Sequence, residues 1–130
     1  MCLDTIKEGK LPKWGIGYKV FNFQMRPPMM LGDIIYEIGK VYTDSKYPKD
    51  TEIGRRVRYP TGYHIFNTFK SANRYAIVTN HAFDDKIVKV RFSKVVAHGT
   101  QAHYKKIYDD IVVARTMTLL KEVKMEEIKC

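Results

Sequence analysis

The chain has only two cysteines, Cys2 and Cys130, and they stand at its opposite ends. Chain ends fray, so a stable bridge between them would need an oxidising compartment, and both are read as free thiols. Neither has a CxxC partner, and His98 and His103 are separated by Gly99 in a predicted turn rather than placed on one helix face, so no metal site is expected. Long apolar runs are also missing. No segment approaches the ~20 residues of a membrane-spanning helix, and residues 1–13 alternate charges with single apolar residues instead of forming a secretory signal. The expectation is a cytoplasmic protein without a membrane partner.

Catalytic signatures are absent as well. There is no Walker-type glycine loop, no GxSxG and no dinucleotide fingerprint, since Gly15 and Gly17 supply only two glycines and precede a strand. Hydrolytic or nucleophilic chemistry needs converging carboxylates, or a base beside an activated hydroxyl or thiol. The adjacent acid pairs Asp84–Asp85, Asp109–Asp110 and Glu126–Glu127 fit turn and cap positions instead. No catalytic residue and no cofactor is assigned, and a binder is favoured over an enzyme.

What is present is positive charge. Lys and Arg number 23 against 14 Asp and Glu, giving a formal +9 and a pI near 9.5. An excess of this size favours an anionic partner, although evenly spread lysines would also serve solubility. Its distribution favours the first reading. Residues 46–74 hold seven basic side chains and two acids, and residues 86–106 hold six basic side chains and no acid.

At 130 residues with 45% hydrophobic content, the chain is read as a single domain, 1–130, able to bury a core without disulfides or a structural metal. Residues 1–13 read as a lead-in ended by Pro12 and the turn chemistry of Gly15 and Gly17. Tyr18, Val20, Phe21 and Phe23 form a first strand closed by Pro27 and Pro28, and a second extended stretch is expected over residues 34–42, with Ile34, Tyr36 and Ile38 alternating before Gly39 interrupts. Residues 43–61 carry Asp44, Ser45, Pro48, Asp50, Gly54 and Pro60, which predicts a long basic surface loop.

Residues 62–66 then read as a short strand. Asn67 or Thr68 is placed to cap a helix with Phe69, Ala72, Tyr75 and Ala76 on one face. In residues 87–96, Val88, Val90 and Phe92 alternate with Lys89, Arg91 and Ser93, so one face is apolar and the other basic. After a turn at Gly99, residues 111–120 are apolar on both faces, as in a central strand, and residues 125–130 form a polar tail. The predicted class is α+β, a mostly antiparallel sheet of four or five strands with one main helix.

Several groups are candidates for binding. Arg55, Arg56 and Arg58 offer planar guanidinium forks to phosphate, and Tyr59 and Tyr63 offer rings on which a base would stack. The competing reading is a solvated loop whose arginines pair with Asp50 or Glu52. Lys89 and Arg91 extend the positive wall. His64 points away from Tyr63 and Ile65, to a face that is either core or cleft. His98, Thr100 and Gln101 offer hydrogen-bonding groups at a predicted strand end, where an ordinary turn is the alternative.

A resemblance narrows these options. Residues 17–21 (GYKVF), 62–66 (GYHIF), 88–92 (VKVRF), 95–101 (VVAHGTQ) and 111–115 (IVVAR) together resemble a family of small bacteriophage proteins of uncharacterised activity. Residues 62–76 also resemble a segment of ADP-ribosyltransferase-like folds, but the arginine, serine and glutamate set of the NAD-using members has no counterpart here. The phage resemblance implies an accessory protein acting in the host cytoplasm. The reading that follows is a non-enzymatic protein that counteracts host antiviral defence by holding a phosphate-bearing nucleotide in a basic pocket, possible also between subunits of a homo-oligomer. The alternatives are a protein–protein inhibitor of a host defence factor, a nucleic-acid-binding protein and, last, an ADP-ribosyltransferase-like enzyme.

Overall fold

The computed structural model describes residues 3, 5–6, 9–21, 25, 35–43, 52–53, 58–59, 62–79, 86–104 and 107–124. In chain order the elements are β1 (Thr5–Ile6), β2 (Trp14–Phe21), β3 (Val41–Thr43), β4 (Glu52–Ile53), β5 (Arg58–Tyr59), β6 (Tyr63–Phe66), α1 (Phe69–Thr79), β7 (Lys86–Tyr104) and β8 (Ile107–Val123). The α+β class with one helix holds. The main sheet has six antiparallel strands rather than four or five, and β4 and β5 pair separately as a two-stranded ribbon.

The frame is the long hairpin of β7 and β8, paired from Ile87–Val123 to Tyr104–Ile107. β2 pairs with the first half of β7, and β6 pairs with residues 111–114 of β8. β6 then meets β2 through Tyr18 and Phe66, so β2, β7, β8 and β6 pair in a closed cycle. β1 and β3 are the remaining edges, on β7 and β8 respectively. Both faces of this curved sheet are buried over part of their extent, which is why residues 111–114 are apolar without alternation.

One core lies inside the cycle: Phe21, Ile65, Val88, Val90, Phe92, Val112, Ala114, Met117 and Leu119, with Tyr36 joining them. The other lies beneath α1: Leu3, Val20, Phe66, Ile87, Ala97, Ile111 and Val113 meet Ala72, Tyr75 and Ala76 of the helix. Thr68, not Asn67, caps α1, its Oγ1 accepting from the Ser71 N–H at 3.2 Å. The helical face expected from the sequence is the face that is buried.

Close approach inside the cycle explains β2. A Cβ on Gly15 would stand 2.6 Å from Cζ of Phe92, and one on Gly17 would stand 2.5 Å from Cγ2 of Ile65 and 2.6 Å from the Phe66 carbonyl oxygen. Gly15 and Gly17 are therefore strand residues and not a turn: they make room for the Phe92 ring and for β6. Further along the hairpin, Lys94 adopts φ 55°, and the strand reverses its inward face there, so that Phe92 and Val95 both pack on the inner core.

Other expectations are corrected. Leu3 is fully buried and Thr5–Ile6 pairs with β7, so the described part of the N-terminal segment belongs to the fold. Gly99 is not a turn but lies inside β7, paired with Ile6. The predicted extended stretch from residue 34 shrinks to Val41–Thr43, because Glu37–Lys40 turns with Gly39 at φ +90°, a value that favours glycine. Within the expected loop over residues 43–61, the β4–β5 ribbon is an element, with Glu52 opposite Tyr59 and Ile53 opposite Arg58. Phe23, Ile34 and residues 125–130 lie outside the described residues.

The tight passage of β2 over β6 sets a test. Gly17→Ala should lower the urea-unfolding free energy by about 1–3 kcal/mol, as overpacking does. Val41→Ala, at a side chain 63% exposed, should stay within about 0.5 kcal/mol of the parent.

Candidate nucleotide-binding face

The alternation that turns Gly15, Gly17, Lys19 and Phe21 inward turns Trp14, Ile16 and Tyr18 outward. On β7 the outward residues are Lys89, Arg91 and Ser93, whose partners on β2 are Tyr18, Ile16 and Trp14. Helix α1 covers this outer face only as far as Tyr18, whose ring meets Phe69 edge to face at 5.8 Å. Beyond it the face is open: Trp14 is 57% exposed, Ile16 is exposed, and the Arg91 guanidinium carbon lies 4.8 Å from the centre of the Trp14 ring. Such a cation–π pair holds a long side chain flat against the sheet, leaving its other side and its N–H fork available.

The open face continues across the hairpin. Ser93 and Arg91 stand opposite Thr116 and Thr118 of β8, and these stand opposite Thr43 and Val41 of β3. Thr43 and Thr116 share a hydroxyl–hydroxyl hydrogen bond of 3.3 Å. Lys89 stands opposite Lys121. None of these outward residues is acidic, so the cations have no carboxylate among them.

The residues expected to bind are thus divided by the fold. Lys89 and Arg91 lie on the same outer face, Arg91 exposed on its open part and Lys89 half-buried at the border beside Tyr18. Tyr63 is half-buried and packs against the inner core, its ring 6.3 Å from Tyr36 at 86°, away from the face that carries Lys89 and Arg91. Thr100 is opposite Thr5 on β1, and their hydroxyls are hydrogen-bonded. Gln101 is buried opposite Asp109, and Asp109 is the carboxylate that Arg74 of α1 reaches at 3.3 Å. His98 is half-buried opposite Val112. Arg58 and Tyr59 are in the β4–β5 ribbon and are described in backbone only, while Arg55 and Arg56 lie outside the described residues. His98, Thr100 and Gln101 do not converge as a strand-end cluster, because β7 runs straight through them.

His64 resolves to core rather than cleft. It is 7% exposed, on the same side of β6 as Phe66 and opposite Val113, both in the core beneath α1. Burial, and then the nearby ammonium of Lys19, push its pKa down to about 3. Lys19 itself is buried beside the inner core and donates from Nζ to the His64 carbonyl at 2.9 Å, and burial pushes its pKa down to about 8.

Trp14, Ile16, Thr116, Thr118 and Lys121 were not singled out from the sequence. The signal for the first two was the alternation Trp14–Ile16–Tyr18 against Gly15–Gly17–Lys19, which is visible once the glycines are read as strand residues. The fold and this face define a small α+β protein with an open, basic, aromatic sheet surface. No protein-family model, curated protein or solved structure matches the chain.

The two buried bases give stability a particular pH dependence. The unfolded chain protonates His64 near 6.5 but the folded one only near 3, so the stability present above 6.5 drains away as pH falls toward 3. Lys19 is charged in both states below about 8, and its burial penalty is relieved between about 8 and 10.5, so stability rises there. Urea midpoints measured across pH should show both slopes. His64→Asn should flatten the acid limb and Lys19→Met the alkaline limb, whatever their effect on absolute stability.

Proposed function

We propose that the protein is a non-enzymatic binder of a phosphate-bearing nucleotide, and that its ligand lies on the open face of β2 and β7. The observation that carries this reading is Arg91 stacked over an exposed Trp14, with Lys89 two residues along the same strand face. Guanidinium and ammonium groups meet phosphate through charge-assisted hydrogen bonds. Indole and guanidinium planes both accept a stacked base. The formal +9 of the chain adds long-range attraction for anions.

The wider role is the one implied by the resemblance to small bacteriophage proteins: an accessory protein in the host cytoplasm that counteracts antiviral defence by holding a nucleotide signal. Among the described residues the cations that support this reading are displayed on a sheet face, and the proposal takes that face in place of the basic pocket expected from the sequence. Arg55, Arg56 and Arg58 enter this reading as further cations beyond that face. A second reading, inhibition of a host defence protein, draws on the exposed apolar side chains Ile35 and Ile38, in the segment leading to β3, and Val41 on β3 itself.

Thermal unfolding with a panel of mononucleotides and cyclic nucleotides tests the proposal. A ligand at ~100 times its Kd stabilises the folded state by about 2.7 kcal/mol and raises Tm by several degrees. Arg91→Ala and Lys89→Gln should each remove most of that rise. A rise that persists unchanged in both variants would place the ligand elsewhere.

A further inference from the structure

The open face is larger than one nucleotide needs, and its chemistry changes along its length. Arg91 and Trp14 hold one end, Lys89 and Lys121 the other, and the hydroxyls of Ser93, Thr116 and Thr118 lie on the β7 and β8 strands between and beside them. From Ser93 to Lys89 the strand advances about 13 Å at ~3.3 Å per residue, roughly four times the 3.4 Å per-strand spacing of stacked nucleotides. From β2 across β7 and β8 to β3 the face measures about 14 Å, three spacings of ~4.8 Å. Lys89 and Lys121 are direct cross-strand partners. Like charges directly opposite one another destabilise a sheet, and an anion seated between them relieves that repulsion.

The apolar components of the face discriminate among nucleic acids. Trp14, Ile16 and Val41 are exposed on an otherwise polar surface. Such side chains gain little from a duplex, which shows a protein its phosphates and groove edges while its base faces stay stacked inside. An unpaired strand offers those base faces directly.

We infer that the ligand of this face is a single strand of nucleic acid, several nucleotides long, with bases stacked at Trp14 and Arg91 and phosphates at Arg91, Lys89 and Lys121. This rests on the nucleotide-binding reading above and extends it from a monomer to a polymer. Specificity for base sequence is not part of it, because phosphates and base faces, the groups it invokes, are common to every nucleotide.

Trp14 is the only tryptophan of the chain, so its fluorescence reports stacking at the site itself. The protein is titrated with oligothymidylate of about twelve nucleotides, inside the ~4–16 range of sheet-based single-strand sites. Thymidine monophosphate, a duplex of the same length and polyglutamate are titrated in parallel. The oligonucleotide should quench Trp14 and bind at least tenfold more tightly than the other three. With three phosphate contacts, log K should fall against log salt with a slope of about −2.

Anisotropy of a labelled strand then reads the variants. Trp14→Ala should weaken binding about tenfold, as loss of one stacked base does. Lys89→Gln with Lys121→Gln should reduce the salt slope by about 1.4. Lys70→Gln, exposed on α1, should leave affinity within about twofold, the small change left once screening limits distant charges. Monophosphate binding as tight as the strand would overturn the polymer and leave the nucleotide reading intact. Binding of neither would overturn both. Equal affinity for duplex, or equal competition by polyglutamate, would overturn the single strand in favour of duplex or an acidic protein.

Discussion

The contact on which the rest depends is the Phe92 ring lying against Gly15 and Gly17 inside the cycle of four strands. Only residues without side chains let β2 approach both that ring and β6, and that approach brings Tyr18 to Phe66 and closes the cycle. Closure gives the sheet an inside filled by Phe21, Ile65, Val90, Met117 and Leu119, and an outside that α1 covers in part. Because side chains alternate along a strand, the same spacing that places glycine inward places Trp14 and Ile16 outward. Core and candidate site are two consequences of one periodicity.

Buried polar groups follow the same geometry. Lys19 stands at the next inward position after Gly17, where its ammonium reaches the His64 carbonyl. It is a strained choice for an interior, and both it and the His64 imidazole lose proton affinity as a result. Arg74, part-buried on α1, reaches the buried Asp109 carboxylate and ties the helix to β8. A charged side chain in such a place is costly unless it is paired, and pairing fixes which way the helix faces.

Much of this was legible in the sequence where local periodicity and burial agree. The helix, its cap to within Asn67 or Thr68, the strand at residues 63–66 and the apolar and basic faces of residues 87–93 follow from local pattern, and the structure selects Thr68. What was not legible depends on distant partners. Gly99 reads as a turn until β1 is known to pair there, and Gly15 and Gly17 read as a turn until Phe92 is known to occupy their space. For the site, Lys89 and Arg91 stood out because charge alternates with valine and phenylalanine. His64 and Gln101 carry the same chemical groups as binding residues but are buried, Tyr63 packs partly against the inner core, and only the tertiary fold distinguishes such cases from Lys89 and Arg91. Trp14 went unnoticed because its importance lies in Arg91, far along the chain, folding over it.

Binding of a nucleotide strand on the open face of β2, β7 and β8 is the proposal from which the other functional inferences descend. Its most direct test is to follow backbone amide resonances during titration with a short single-stranded oligonucleotide. A strand bound there should give its largest shifts at residues 14–18, 89–93 and 116–121. Shifts confined to α1 or to the β4–β5 ribbon, with those three segments unmoved, would contradict it.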